Sequence, residues 1–115
     1  MKVLIVDDTA EMRQALEELL QRRGHDVIAS VADGDEALEA ASRLELDVIL
    51  LDVLLGSGSG LDVARVLTSK HPDIPLVLMS MNDVRAADLH ASGARSVIAK
   101  ERLARIDLST LISGT

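Results

Sequence analysis

The sequence predicts a doubly wound α/β domain, and three observations carry that reading. Short apolar runs recur five times, at Lys2–Val6, Asp26–Val31, Val48–Leu51, Ile74–Met79 and Ser96–Ala99. Stretches with apolar residues at helical spacing follow each of them, and such alternation implies a parallel sheet covered on both faces. The third run, Val48 to Leu51, holds no polar residue at all, as expected of a parallel strand buried on both sides.

In chain order, Lys2–Val6 is a strand broken by Asp7-Asp8-Thr9. Met12, Leu16, Leu19 and Leu20 then form a helical stripe, with Gly24 where that helix would end. After the second strand, Asp33 and Glu36 resemble a capping box that opens a helix with Ala37, Leu38, Ala41 and Leu44 inward. The third strand runs into Asp52 and a loop holding Gly56, Gly58 and Gly60, whose composition predicts a flexible turn. Leu61, Ala64, Leu67 and Thr68 make the next stripe, ended by Pro72. The fourth strand stops at Ser80, and Asn82 or Asp83 is placed to cap a helix carrying Val84, Ala87, Leu89 and Ala91 up to Gly93. The fifth strand runs into Lys100, and Arg102–Ile112 predicts a last helix through Leu103, Ile106, Leu108, Leu111 and Ile112.

Bulk properties narrow the function. The 115 residues suffice for one domain, 1–115, with one core. A net charge of −7 opposes a phosphate backbone, so no direct nucleic-acid binding is expected, and acidic partners are disfavoured as well. With no cysteine there is neither disulfide nor thiol chemistry, and any metal must be a hard one held by oxygen. The absence of Phe, Trp and Tyr removes the usual means of stacking a flavin or a base. No apolar run is long enough to span a bilayer and no signal peptide precedes the first strand, so a cytoplasmic protein with no membrane contact is expected.

Right-handed crossovers place all strand carboxyl ends on one edge, where ligands bind at the point of strand-order reversal. In the flavodoxin-like order 2-1-3-4-5 the first and third strands are neighbours, which gathers Asp7, Asp8 and Asp52, with Ser80 and Lys100 at the next strand ends. Three close carboxylates raise one another's pKa unless neutralised, and oxygen-only ligands with open positions suit Mg²⁺. A carboxylate beside Mg²⁺ is a nucleophile toward phosphorus, with Lys100 as a second cation and Ser80 as a hydroxyl donor. Singly, each residue has an ordinary role: Asp7-Asp8 as a turn and helix cap, Asp52 as a turn, Ser80 as a core hydroxyl, Lys100 as a solvated strand end. Together at one edge they point to phosphoryl chemistry. His25, His71 and His90 lack metal-ligand spacing and read as surface residues, and the glycine loop lacks a Gly-Lys-Ser/Thr ending, so it reads as a turn rather than a phosphate cradle.

Val-Asp7-Asp8, Leu-Leu-Asp52, Gly60-Leu61, Leu-Met-Ser80 and Gly93-Ala94 leading to Val-Ile-Ala-Lys100 resemble the receiver domain of response regulators, of the chemotaxis-protein type, over essentially the whole chain. The resemblance implies a phosphorelay receiver in which Asp52 takes a phosphoryl group from a histidine kinase or phosphotransfer protein. Asp7, Asp8, Asp52 and the Leu54 carbonyl would hold Mg²⁺, Ser80 would be the switch hydroxyl and Lys100 the phosphate partner. It implies no enzyme activity beyond Mg²⁺-dependent self-phosphorylation from a phosphodonor. It also implies an output domain or partner docking on the Asp83–Ile112 face, with a weak homodimer as a further use of that face.

The departures from the family pattern are specific. Gly56 stands where many members have proline, which predicts a floppier loop. Ser80 replaces the commoner threonine, and Met81 follows it where a small residue is usual, in a place to crowd the phosphoryl pocket. Val97 occupies the position of the aromatic switch residue. Glu101 follows Lys100 where proline is common, so a cis bond there would cost roughly 3 kcal/mol and is not expected. An aspartate-nucleophile phosphatase would need a second Asp two residues after Asp7, where Thr9 stands, and a flavodoxin-like cofactor binder has no ring to stack. A receiver fold used only as a docking scaffold is the remaining alternative.

Overall fold

The computed structural model describes residues 1–56, 58–105 and 107–112. The elements are β1 (Lys2–Val6), α1 (Ala10–Arg22), β2 (Asp26–Val31), α2 (Gly34–Arg43), β3 (Val48–Asp52), β4 (Leu54–Leu55), β5 (Gly58–Ser59), α3 (Gly60–Lys70), β6 (Leu76–Ser80), α4 (Ala86–Ser92), β7 (Ser96–Ala99), a 3₁₀ segment (Lys100–Arg105) and α5 (Leu108–Ile112). The main sheet is parallel with the order β2-β1-β3-β6-β7. With the two-residue strands β4 and β5 set aside, this is the expected order 2-1-3-4-5.

Side chains alternate along each strand, so the sheet feeds two cores. Leu4, Val6, Ile49, Leu51, Leu76 and Leu78 face α2 and α3 through Ala37, Ala41, Ala64 and Leu67. Val3, Ile5, Val48, Leu50, Val77, Met79 and Ile98 face α1 and α5 through Leu16, Leu20 and Leu108. β3 and β6 are buried at every position, which is why their sequences read as continuous apolar runs.

Capping fixes several helix ends, at Asp33 and Gly93 as the sequence suggests. Asp33 Oδ1 accepts from the Glu36 amide at 2.9 Å at the start of α2, and Ser59 Oγ accepts from the Leu61 amide at 3.2 Å at the start of α3. Gly93, at φ +79, closes α4 in the left-handed region.

Four expectations need correction. The glycine loop is not a simple turn: Leu54–Leu55 and Gly58–Ser59 pair as an antiparallel ribbon, and Gly60 already belongs to α3. The helix after β6 starts at Ala86, with Arg85 as its N-cap, so neither Asn82 nor Asp83 caps it. Ser80 competes for that turn, its hydroxyl donating to the Asn82 carbonyl and accepting from the Asn82 amide. The Arg102–Ile112 stretch is not one helix, because Asp107 Oδ1 accepts from the Ser109 amide at 3.0 Å and its hydroxyl at 2.8 Å, opening a separate α5. Ile106, expected within that helix, lies outside the described residues. His25, expected at the surface, is half-buried: its amide donates to the Leu20 carbonyl at 3.0 Å and its Nδ1 lies 3.2 Å from the Met1 amine. Burial and that neighbouring ammonium lower its pKa.

Candidate functional site

The site forms where β1 and β3, adjacent in the sheet, end together. Asp7 directly follows β1 and Asp52 is the last residue of β3; both are buried, whereas Asp8 is exposed. One oxygen from each of Asp7, Asp8 and Asp52 falls within 4.8 Å of the others. Lys100, which follows β7, reaches across two strand ends to place its Nζ 2.9 Å from Asp7 Oδ2 and 2.9 Å from Asp52 Oδ2.

Backbone amides complete the carboxylate contacts. Asp7 Oδ1 accepts from the Thr9 amide at 2.9 Å, Asp52 Oδ1 from the Leu54 amide at 3.1 Å, and Asp8 Oδ2 from the Gly56 amide at 2.9 Å. The Arg13 guanidinium donates to the Asp7 carbonyl at 2.6 Å, which anchors the acidic turn to α1. Local sequence shows the two-residue turns at Thr9 and Leu54, but nothing local marks the Gly56 amide or Arg13 as partners of the site.

Burial raises the Asp52 pKa above 3.8, opposed by the Lys100 hydrogen bond and the Leu54 amide. For Lys100, burial pulls downward, and the hydrogen bonds and charges of Asp52 and Asp7 together outweigh it, so the ammonium is raised above 10.5. Lys100 thus sits as the counter-ion shared by two buried carboxylates.

Beside Asp52 a cavity of about 290 Å³ opens to solvent, lined among others by Leu54, Ser80, Met81, Arg85 and Lys100. It is large enough for a tetrahedral oxyanion. Leu54 and Met81 are exposed at 65% and 64% and form an apolar rim, so Met81 stands at the mouth rather than filling the pocket. Ser80 lines the cavity with its hydroxyl committed to Asn82. Val97 is half-buried and packs into the α2–α3 side of the core.

The donor set fits a hard divalent cation: three carboxylates, one exposed to solvent, and no nitrogen or sulfur ligand among them. The structure thus brings together Asp7, Asp8, Asp52, Ser80 and Lys100 as the sequence expects. Leu54 joins them at the cavity wall.

Known proteins resemble this chain in sequence and in fold. Residues 3–112 match the family described as the response regulator receiver domain. A protein-glutamate methylesterase/protein-glutamine glutaminase of Geobacter metallireducens is 45% identical over 82 residues, covering 70% of this chain and 23% of that protein. The chemotaxis protein CheY of Thermotoga maritima is 29% identical over 101 residues, covering 86% of this chain and 84% of CheY. The crystal structure of the response regulator TrrA from Thermotoga maritima, in complex with Mg²⁺-BeF, is 31% identical, covers 86% of each chain and superimposes with a TM-score of 0.75. The chain spans well under half the length of several curated relatives it matches, the methylesterase among them. No helix among the described residues is long and apolar enough to cross a membrane.

Proposed function

This chain belongs to the response regulator receiver domain family, and we propose that residues 1–115 form one receiver unit whose phospho-acceptor is Asp52. The observation that carries the assignment is the placement of Asp52: it is the carboxylate that ends the central strand, touches Lys100 and opens onto the cavity. In the reaction an Asp52 carboxylate oxygen attacks phosphorus, the bond to the donor nitrogen or acyl oxygen breaks, and the leaving group takes that electron pair. The product is an acyl phosphate on Asp52.

Mg²⁺, held by Asp7, Asp8, Asp52 and the Leu54 carbonyl, would neutralise charge on the transferring group. This chain's own residues do the rest. Lys100 offers a fixed ammonium, and Thr9 and Leu54 amides hold Asp7 and Asp52 in place. Ser80, once released from Asn82, supplies a hydroxyl to the phosphoryl oxygens. The donor is a histidine kinase or phosphotransfer protein, and the face built by α4, β7 and α5 is the surface for an output domain, a partner protein or a weak homodimer.

Incubation with acetyl phosphate and Mg²⁺ should add the mass of one phosphoryl group, and Asp52→Asn should remain unlabelled. Full labelling of Asp52→Asn would overturn the assignment. The half-buried Val97 also favours a second reading, in which the fold docks partners without the usual aromatic switch; phosphorylation that leaves partner affinity unchanged would select it.

A further inference from the structure

Gly56 meets Asp8 in a way that only certain residues permit. Its amide donates to Asp8 Oδ2 at 2.9 Å, and its φ of +54 lies in the left-handed region. Proline can supply neither feature: it has no N–H, and its ring fixes φ near −65°. A Cβ at position 56 would pass 3.6 Å from Asp8 Oδ2, an ordinary contact, so what this position requires is a donor and a left-handed backbone rather than empty space.

The bond also distinguishes Asp8 from its neighbours. Asp7 and Asp52 are buried and gripped by Lys100, whereas Asp8 is exposed and its oxygen is held by a backbone amide from 48 residues along the chain. The pairing of Leu54 with Ser59 and Leu55 with Gly58 holds that amide in position. An exposed aspartate otherwise samples several rotamers, and fixing one before a ligand arrives removes that ordering cost from binding. Partners that orient a ligating carboxylate commonly govern metal affinity.

We propose that Gly56 is a positioning residue for the divalent-cation site: its amide orients Asp8, and the short ribbon exists in this chain to present that amide. The inference rests on the reading of Asp7, Asp8 and Asp52 as a cation site. The loop after Asp52, expected to be floppier for want of proline, is then a brace that proline could not form.

The test is Mg²⁺ titration by calorimetry of the parent chain, Gly56→Pro and Gly56→Asn, with each fold checked by circular dichroism. Asparagine keeps the N–H and tolerates positive φ. Gly56→Pro should bind about tenfold more weakly or worse, while Gly56→Asn should stay close to the parent. Equal affinity in the parent and Gly56→Pro, or equal losses in both variants, would overturn the role of the amide. No Mg²⁺ binding by the parent would instead overturn the cation-site reading, and this inference with it. If Gly56→Pro does not fold, amide exchange of the metal-free parent decides: the Gly56 amide should exchange about fivefold more slowly than in Asp8→Ala, and equal rates would defeat the proposal.

Discussion

Gly60 lies so close beneath Asp52 that no side chain fits between them. A Cβ on Gly60 would overlap the Asp52 carbonyl oxygen and press to 2.7 Å on the Val53 carbonyl. The Gly60 amide already donates to that Val53 carbonyl at 2.6 Å, which ties the start of α3 to the end of β3. The glycine eight residues after Asp52 is thus a packing requirement of the site.

Gly60→Ala should lower stability by about 1–3 kcal/mol, as overpacking against backbone does, despite the better helix propensity of alanine. Urea unfolding followed by circular dichroism measures it. An unchanged midpoint would mean that the strand end yields to the methyl group.

Most of the fold was readable because its signals are local. The uninterrupted apolar run of β3 reports burial on both faces, and the polar residues at the strand ends report the ligand edge. Where the reading failed, a competing hydrogen bond had won, local at Ser80 and Asp107 and distant at Asp8. Asn82 and Asp83 look like caps, but Ser80 holds Asn82 in a turn and α4 waits until Ala86. The apolar pattern from Arg102 to Ile112 looks continuous, yet the Asp107 carboxylate caps a new helix within it. The Gly56–Asp8 bond joins residues 48 apart, and no local pattern encodes it.

Asp52→Asn should fold and be more stable than the parent at neutral pH. Burial raises the Asp52 carboxyl, so the native state binds that proton more tightly than the unfolded chain does. Stability from this group is then greatest below 3.8 and falls as the pH rises through the raised value. The isosteric amide removes the charge and its burial cost, while Lys100 keeps Asp7 as a partner. The gain in thermal midpoint should shrink as the pH falls through the raised value toward 3.8; a gain independent of pH would contradict this cause.

Mg²⁺ should raise the thermal midpoint, since a ligand of the native state adds stability by mass action, about 2.7 kcal/mol at one hundred times Kd. The rise should be lost in Asp8→Ala, which removes the exposed member of the cluster. Without aromatic residues the melt is followed by circular dichroism. An equal rise in Asp8→Ala would move the cation elsewhere.

The last prediction follows from the hydroxyl of Ser80. It donates to the Asn82 carbonyl and accepts from the Asn82 amide, so both of its roles are committed to the turn before α4. To reach a phosphoryl group on Asp52 it must give up Asn82, and the stretch from Met81 to Arg85 then loses its anchor. β7 pairs with β6 at Ser80 and Ala99, next to Lys100, so the same change is felt along that strand. Val97 is aliphatic and half-buried, which limits the response to a small shift in place of an aromatic rotation. Beryllofluoride with Mg²⁺ should therefore move amide resonances from Met81 to Ser92 and from Ser96 to Lys100. In Ser80→Ala, Asp52 should still accept phosphate while the shifts from Asp83 to Ser92 shrink. Shifts confined to residues 52–60 in the parent would disconnect Ser80 from the α4 face.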